Sequence, residues 1–363
     1  MDLSELLQIP PYSLEKEDKA EILTGYLKKL TALHQNGCVE YARILTALDY
    51  KPELVKDVAD IPFIPVRLFK EYFLHSIPKE EIVTTITSSG TTGQQVSNIP
   101  LDARTSANQK KVLAHIIGSY IGENRLPLLI LDSGKTLKDK RLFGARGAGI
   151  LGFSILGKDI VYALDENMRL EEEKVRLFLE KHKGQPKLLF GYTFIIWEHF
   201  YIAMKERGIH FDFEENACLF HIGGWKKLQE LAVDNEIYKK TLMEWYNMSA
   251  VHNYYGMAEQ LGSVYVECEC GHMHASNFSD IIIRNPFDWS RQPHGVSGLI
   301  ELVSVLPASY PGHAVLTEDE GVILGEDDCP CGRKGKYFRI LGRVKDAEIR
   351  GCSDTYAERY DRR

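Results

Sequence analysis

Two constellations in this 363-residue sequence have residue types and spacing suited to chemistry. The first is Thr87-Ser88-Ser89-Gly90-Thr91-Thr92-Gly93, at the end of the β-branched stretch 82–87. Glycines let the chain turn tightly and approach a ligand closely. Successive backbone N–H groups in such a turn form an anion-binding concavity, and the hydroxyls add donors for phosphate oxygens. The loop therefore suits a polyphosphate. It is not a Walker A loop, because Gly90 and Gly93 are too close and no Gly-Lys-Ser/Thr follows. The second is a pair of soft-ligand clusters, Cys268-x-Cys270-Gly271-His272-x-His274 and Cys329-Pro330-Cys331-Gly332, about 55 residues apart. Such clusters meet in space in tetrahedral Zn²⁺ sites, and six donors here compete for four positions. The alternative is a set of reduced thiols without metal.

Three further motifs follow the loop in order. They are Tyr254-Tyr255-Gly256-Met257-Ala258-Glu259, Thr317-Glu318-Asp319 and Gly342-Arg343-Val344-Lys345-Asp346. Taken singly, Tyr-Tyr-Gly reads as core packing with a turn, Glu259 as a solvated charge, and Asp319 as part of a hairpin turn in the acidic run 317–321. Taken as an ordered set over residues 84–346, they resemble the adenylate-forming enzymes, the superfamily of acyl-CoA synthetases and adenylation domains. The resemblance implies that Thr87, Ser88, Ser89, Gly90, Thr91, Thr92 and Gly93 bind ATP phosphates. It places Tyr254, Tyr255 and Gly256 by the adenine, Glu259 on Mg²⁺, Asp319 on the ribose hydroxyls and Arg343 at the end of the large domain. Carboxylate and phosphate oxygens are what Mg²⁺ prefers. In one respect the sequence departs from the superfamily: after the loop comes Gln94-Gln95-Val96-Ser97, with no lysine before Lys110. Lys226, in Gly223-Gly224-Trp225-Lys226-Lys227, is the candidate for the missing charge.

The superfamily's mobile C-terminal domain would follow residue 346, where only seventeen residues, 347–363, remain. Seventeen residues do not make a domain. The branch ending near this point is the acyl-protein synthetase (LuxE) family. The chain resembles it in Ile61–Lys70 (IPFIPVRLFK), in the Ser-rich loop and in GGWKK. The resemblance implies that a carboxylic acid, in this branch a fatty acid, is activated to acyl-AMP. The acyl group then passes to a cysteine near the C-terminus, here Cys352, and on to an acyl-accepting reductase. A thiolate is a strong nucleophile, and Arg350, Lys345 and Arg343 lie within ten residues to lower its pKa. Related adenylating enzymes resemble the two clusters with Cys-x5-His and Cys-x-Cys. This implies Cys268, His274, Cys329 and Cys331 as structural zinc ligands, with Cys270 and His272 as alternates. Two other readings stay open. One is an enzyme handing an aryl or other carboxylate to CoA or a carrier protein; the other is a nucleotide-binding module without turnover.

The elements that must position these residues alternate. Residues 14–36 read as an amphipathic helix with Ser13 as N-cap, and 61–70, with two prolines, as an edge or loop. Strand-like runs at 82–87, 126–131, 187–190 and 217–222 alternate with helical patterns at 102–120, 168–182, 194–207 and 226–246. This predicts βα units and a mostly parallel sheet. From about residue 262 the pattern changes to strands without long helices, an antiparallel region. The expected organisation is α/β, the large domain of an adenylate-forming enzyme: a body over 1–261 of mostly parallel sheets flanked by helices, a distorted β subdomain over 262–346 and a tail over 347–363. Gly191-Tyr192-Thr193 and the segment 143–156 are candidates for the acyl pocket by the same resemblance, and His221 for a substrate contact.

Composition limits the rest. Lys and Arg total 44 and Asp and Glu 51, a net charge of −7, and no basic block is present. A nucleic-acid partner is disfavoured. No apolar run reaches the ~18 residues of a membrane span, and the N-terminus lacks a signal-peptide core. Seven cysteines, an odd number, do not suggest a secreted disulfide scaffold. The expectation is a cytoplasmic enzyme.

Overall fold

A computed structural model describes residues 3–88, 96–138, 143–225 and 232–344. In chain order its strands are β1 (Ile64–Pro65), β2 (Thr84–Thr87), β3 (Asn98–Leu101), β4 (Leu126–Ser133), β5 (Gly157–Leu164), β6 (Lys187–Tyr192), β7 (Ala217–Ile222) and β8 (Ala250–Tyr255). They continue with β9 (Tyr265–Glu267), β10 (Met273–His274), β11 (Ser279–Arg284), β12 (Gly298–Ser304), β13 (Ala314–Glu326) and β14 (Lys336–Arg343). The helices used below are α1 (Lys16–Gly37), α2 (Ala103–Ile121), α3 (Glu172–Lys181) and α4 (Asn235–Tyr246). The chain folds into two compact units. One is discontinuous: residues up to Ser88, those around β3 and α2 as far as Ser119, and those from Gly256 through β14. The other is built mainly from Tyr120–Tyr255.

In the second unit the order β8-β7-β6-β4-β5 is parallel throughout. The central strands β4 and β6 are buried almost throughout, as inner parallel strands are, while the edge strand β5 exposes Lys158, Asp159 and Ile160. Leu129, Leu189 and Leu219 belong to a core with Trp197, Phe200, Tyr238 and Leu242. Their neighbours Phe190 and Phe220 point to the opposite face because side chains alternate along a strand. There they meet Phe153, whose ring stacks on Phe190 at 4.0 Å. The helix expected over 194–207 is present, with a wide π-type turn at Ile196–Ile202.

In the first unit β11-β12-β13-β14-β10-β9 pair antiparallel. The proline-containing β1 adds two parallel residues beside Val315 and Leu316 of β13. The acidic run that reads as a hairpin turn is instead the middle of the thirteen-residue β13. Asp319 faces Arg343 across the ladder, so its charge is matched in register and a turn is not required. The amphipathic α1 buries Leu23, Leu27, Leu30, Thr31 and His34 on one face. Ser13 is not its N-cap: the helix begins after Glu15, and the Ser13 hydroxyl donates to the Pro10 carbonyl at 2.8 Å. The start of α2 is held by Asp102, whose carboxylate accepts from the Thr105 amide at 2.6 Å and from the Ser309 hydroxyl at 3.1 Å.

Candidate active site and metal centre

The β2–β3 hairpin carries the Gly/Thr loop. Its base is closed by a reciprocal pair: the Ser88 amide donates to the Ser97 carbonyl at 3.0 Å, and the Ser97 amide donates to the Ser88 hydroxyl oxygen at 2.9 Å. Thr87 ends β2 opposite Asn98. Ser89, Gly90, Thr91, Thr92 and Gly93 lie outside the described residues, as do Lys226 and Cys352.

Glu259 is not the solvated charge its isolated sequence context predicts. It sits in a short 3₁₀ turn, Ala258–Gln260, and is 4% exposed. Burial pushes its carboxyl above the usual range, against the pull of Ser97, its own backbone and the charges of Lys70 and Arg343. Ser97 is buried beside it, but its hydroxyl lies outside hydrogen-bonding geometry. A buried carboxylate with hydroxyl neighbours is a hard-oxygen donor set, which fits Mg²⁺ when phosphate oxygens complete the shell. Asp319 lies in the same unit; Arg343 Nε is 3.4 Å from its Oδ1, and its amide donates to Thr317 Oγ1 at 3.1 Å. Arg67, from the IPFIPVRLFK stretch, reaches Glu318 at 3.5 Å. Residues far apart in sequence (67, 97, 259, 319 and 343) are thus brought into one unit. Ser97 and Lys70 were not marked by the sequence, because their bearing on Glu259 is a long-range contact with no local signature.

In the other unit Tyr254, the next-to-last residue of β8, is buried, with its ring centroid 5.6 Å from Phe153 and 6.4 Å from Phe190. Tyr255 is half-buried. His221 is buried at the end of β7, with Nδ1 2.9 Å from the Thr193 hydroxyl, which donates to the Gly223 carbonyl at 2.5 Å. Burial lowers its pKa to about 3. This is a neutral, tethered imidazole beneath the Gly-Gly turn.

The two cysteine clusters meet. Donor atoms of Cys268, His274, Cys329 and Cys331 all lie within 4.8 Å of one another. Cys268 and Cys329 sulfurs are 3.9 Å apart, and Cys331 Sγ is 3.4 Å from His274 Nε2. For a tetrahedral zinc with ~2.3 Å bonds to sulfur and ~2.0 Å to nitrogen, the expected edges are about 3.8 Å and about 3.5 Å. The spacing fits one ion. Burial pushes the Cys268 thiol to about 11 and the Cys329 thiol higher still, and it lowers the His274 pKa to about 3, so the imidazole is in its ligand form. Cys270 is exposed and outside this set. His272 Nδ1 is 3.4 Å from Cys329 Sγ, at the edge of the cluster.

A family model described as "Acyl-protein synthetase, LuxE" matches residues 2–361. The chain belongs to this family. Among its relatives, this LuxE-family protein is 22% identical over 358 residues to the long-chain-fatty-acid–luciferin-component ligase of Vibrio harveyi, covering 94% of this chain and 89% of that one. It is 23% identical over 353 residues to the ligase of the same name from Aliivibrio fischeri, covering 94% and 90%. Its fold is that of a 2-hydroxyisobutyryl-CoA ligase solved in an open conformation with 2-HIB-AMP and CoA, at a TM-score of 0.70 and 18% identity, over 94% of this chain and 78% of that one. The fold expected of an adenylate-forming enzyme is therefore the one found. Among the described residues, no helix of this LuxE-family chain is long and apolar enough to cross a membrane.

Proposed function

We propose that this protein activates a fatty acid with ATP and carries the acyl group on its own cysteine. The observation that carries the reading is the family match over residues 2–361, joined to one unit that holds a buried Glu259 and the cross-strand pair Asp319–Arg343. In the first step a carboxylate oxygen of the acid attacks the α-phosphorus of ATP. The bond to the β-phosphate bridging oxygen breaks, giving acyl-AMP and pyrophosphate. In the second, the Cys352 thiolate attacks the acyl carbonyl carbon and AMP leaves with the electrons of the C–O bond. An acyl-accepting reductase is the proposed onward partner.

The chain's residues would divide the work by position. Ser88, with the loop residues Thr87 to Gly93, orients the phosphates through hydroxyl and backbone donors. Tyr255 offers a face to the base, with Tyr254 and Gly256 shaping the turn beside it. Asp319 accepts from the ribose hydroxyls while Arg343 holds its carboxylate, and Lys226 supplies positive charge to the phosphates. Glu259 holds Mg²⁺, which when bound spreads the charge that builds on the departing pyrophosphate. A zinc ion held by Cys268, His274, Cys329 and Cys331 pins the β10 turn to the turn before β14; with four protein ligands the site is closed, so its part is structural.

The test is acid-dependent ATP–pyrophosphate exchange over a series of carboxylic acids, with recovery of label from radioactive acid on denatured protein. Long-chain fatty acids are expected to drive exchange and leave one acyl label per chain, lost in Cys352→Ser with exchange retained. Exchange that yields acyl-CoA and no protein label would move the protein to the CoA-ligase reading. Nucleotide binding without exchange for any acid would leave a binding module.

A further inference from the structure

Three buried polar tips around Glu259 make no hydrogen bond of normal geometry among the described residues: the Tyr310 hydroxyl, which lies beside Gln109 and feels its amide, Gln109 Nε2 itself, and the Ser97 hydroxyl beside Glu259. Tyr310 and Ser97 are 0% exposed and Gln109 is 4% exposed. Buried polar groups are almost always hydrogen-bonded, so three exceptions in one neighbourhood call for a ligand, a water or a function. The backbone explains why they gather there. Gly312 packs against the Tyr310 ring edge, and a Cβ on it would lie 2.7 Å from the Glu259 carbonyl oxygen. Gly262, at φ +86°, is pressed on α2 so that a Cβ would meet the Gln109 carbonyl at 2.6 Å. The segment carrying Glu259 is therefore clamped between Tyr310 and Gln109, with no room for side chains at either glycine. The next residue fixes it further: Gln260 Nε2 donates to the Leu302 and Gly312 carbonyls at 3.0 and 2.9 Å. Phe69 holds the Tyr310 ring edge-to-face at 6.0 Å, and the Ser88–Ser97 pair holds Ser97.

We propose that Tyr310 and Gln109, together with Ser97, are positioning residues that hold the Glu259 carboxylate, directly or through a bridging water, in the orientation that receives the divalent cation of the ATP complex. The inference rests on the reading of Glu259 as the cation-holding residue. Phenol, carboxamide and alcohol can all donate, and an ionised carboxylate accepts at up to four lone-pair sites. A buried carboxylate held only by its backbone would sample several rotamers and favour its neutral form. Donors held on one side of a carboxylate leave its other face for a cation. The Glu259 charge also adds to burial in raising the Tyr310 pKa, which puts the phenol within the carboxylate's field.

The test uses Mn²⁺ as the probe, with full-length protein and saturating ATP, reading free Mn²⁺ by electron paramagnetic resonance and the melting temperature in parallel. Tyr310→Phe removes one oxygen and keeps the ring. The expected result is a ~10-fold weaker Mn²⁺ dissociation constant with an unchanged or higher melting temperature, and a similar loss in Gln109→Leu. A purely structural role predicts the reverse, Mn²⁺ affinity within twofold of wild type in both variants whatever happens to melting, and that result overturns the proposal. Glu259→Gln separates the two levels. If it weakens Mn²⁺ while Tyr310→Phe and Gln109→Leu do not, the positioning shell alone fails. If Glu259→Gln also binds Mn²⁺ as wild type, the cation role of Glu259 fails and the shell with it.

Discussion

Two buried imidazole sites in the same unit differ in what faces the rings. At the cysteine cluster, His274 Nε2 looks at the Cys331 sulfur at 3.4 Å. At the His34–His313 pair, the rings stack at 4.9 Å and face oxygen. His34 donates from Nε2 to the Pro307 carbonyl at 3.1 Å and accepts at Nδ1 from the Ser76 hydroxyl at 2.8 Å. Thr31 donates its hydroxyl to Leu27, so it accepts from His313 Nε2 at 2.9 Å. Burial lowers all three pKa values, His34 to about 4, His274 to about 3 and His313 well below its ordinary value. Among the described residues, Nδ1 has no hydrogen-bond partner in either His274 or His313. Neither a depressed pKa nor a bare ring nitrogen marks a metal ligand, then. What sets the first site apart is three sulfurs whose atoms lie with His274 within 4.8 Å of one another, because soft donors crowded in one place suit a soft cation that oxygen-faced rings do not.

The largest expected effect separates the sites directly. Cys329→Ser, or exhaustive chelation of the wild type, should remove zinc and lower the melting temperature by ~10 °C or more, since folding and metal binding are linked. His34→Gln should keep its full zinc content. Protein purified without added metal that holds less than about half an equivalent of zinc would erase the distinction.

Acid should act the other way, on the oxygen-faced pair. A histidine whose folded pKa lies below its unfolded value of 6.5 gives its full contribution above pH 6.5. That contribution declines as pH falls from 6.5 toward the folded value of about 4. For His34 alone the loss reaches about 2 kcal/mol by pH 5. Urea unfolding at pH 7.5 and pH 5 should therefore show a smaller pH-linked drop for His34→Gln than for wild type. Equal drops in the two proteins would mean that His34 is not the titrating group.

How far these sites are legible in sequence follows from the range of the interactions. Soft ligands are rare and their pairs are local, so the two clusters stand out as six candidate donors, and the choice of Cys268, His274, Cys329 and Cys331 among them comes only from the resemblance to related adenylating enzymes. The apolar run at β4 and the one-sided face of α1 are equally local. Asp319 misreads as part of a turn because what keeps TEDEG extended is Arg343, twenty-four positions away. Ser97, Gln109 and Tyr310 leave no trace in sequence, since each is an ordinary polar residue until the fold brings it to Glu259. The change of character near residue 262 lies close to the boundary at Gly256, but nothing in the composition of residues 1–88 says that they return to the antiparallel unit.

The smallest expected effect tests which histidine completes the sulfur site. His272 and His274 are two apart, so they lie on the same side of the chain, and both rings stack with Tyr337, at 4.9 and 5.7 Å. Only His274 is fully buried and inside the set of four donors. His272 is half-buried and touches Cys329 Sγ through Nδ1 at 3.4 Å, which is a hydrogen-bonding position toward a ligand. Such outer partners tune affinity by ~10–100-fold without being required for assembly. His272→Ala should therefore retain one zinc per chain and release it to a chelator ~10-fold faster, while His274→Ala should lose it on purification. If the two variants behave in the opposite sense, His272 is the fourth ligand. The buried His274 would then be a neutral core imidazole of the same kind as His313.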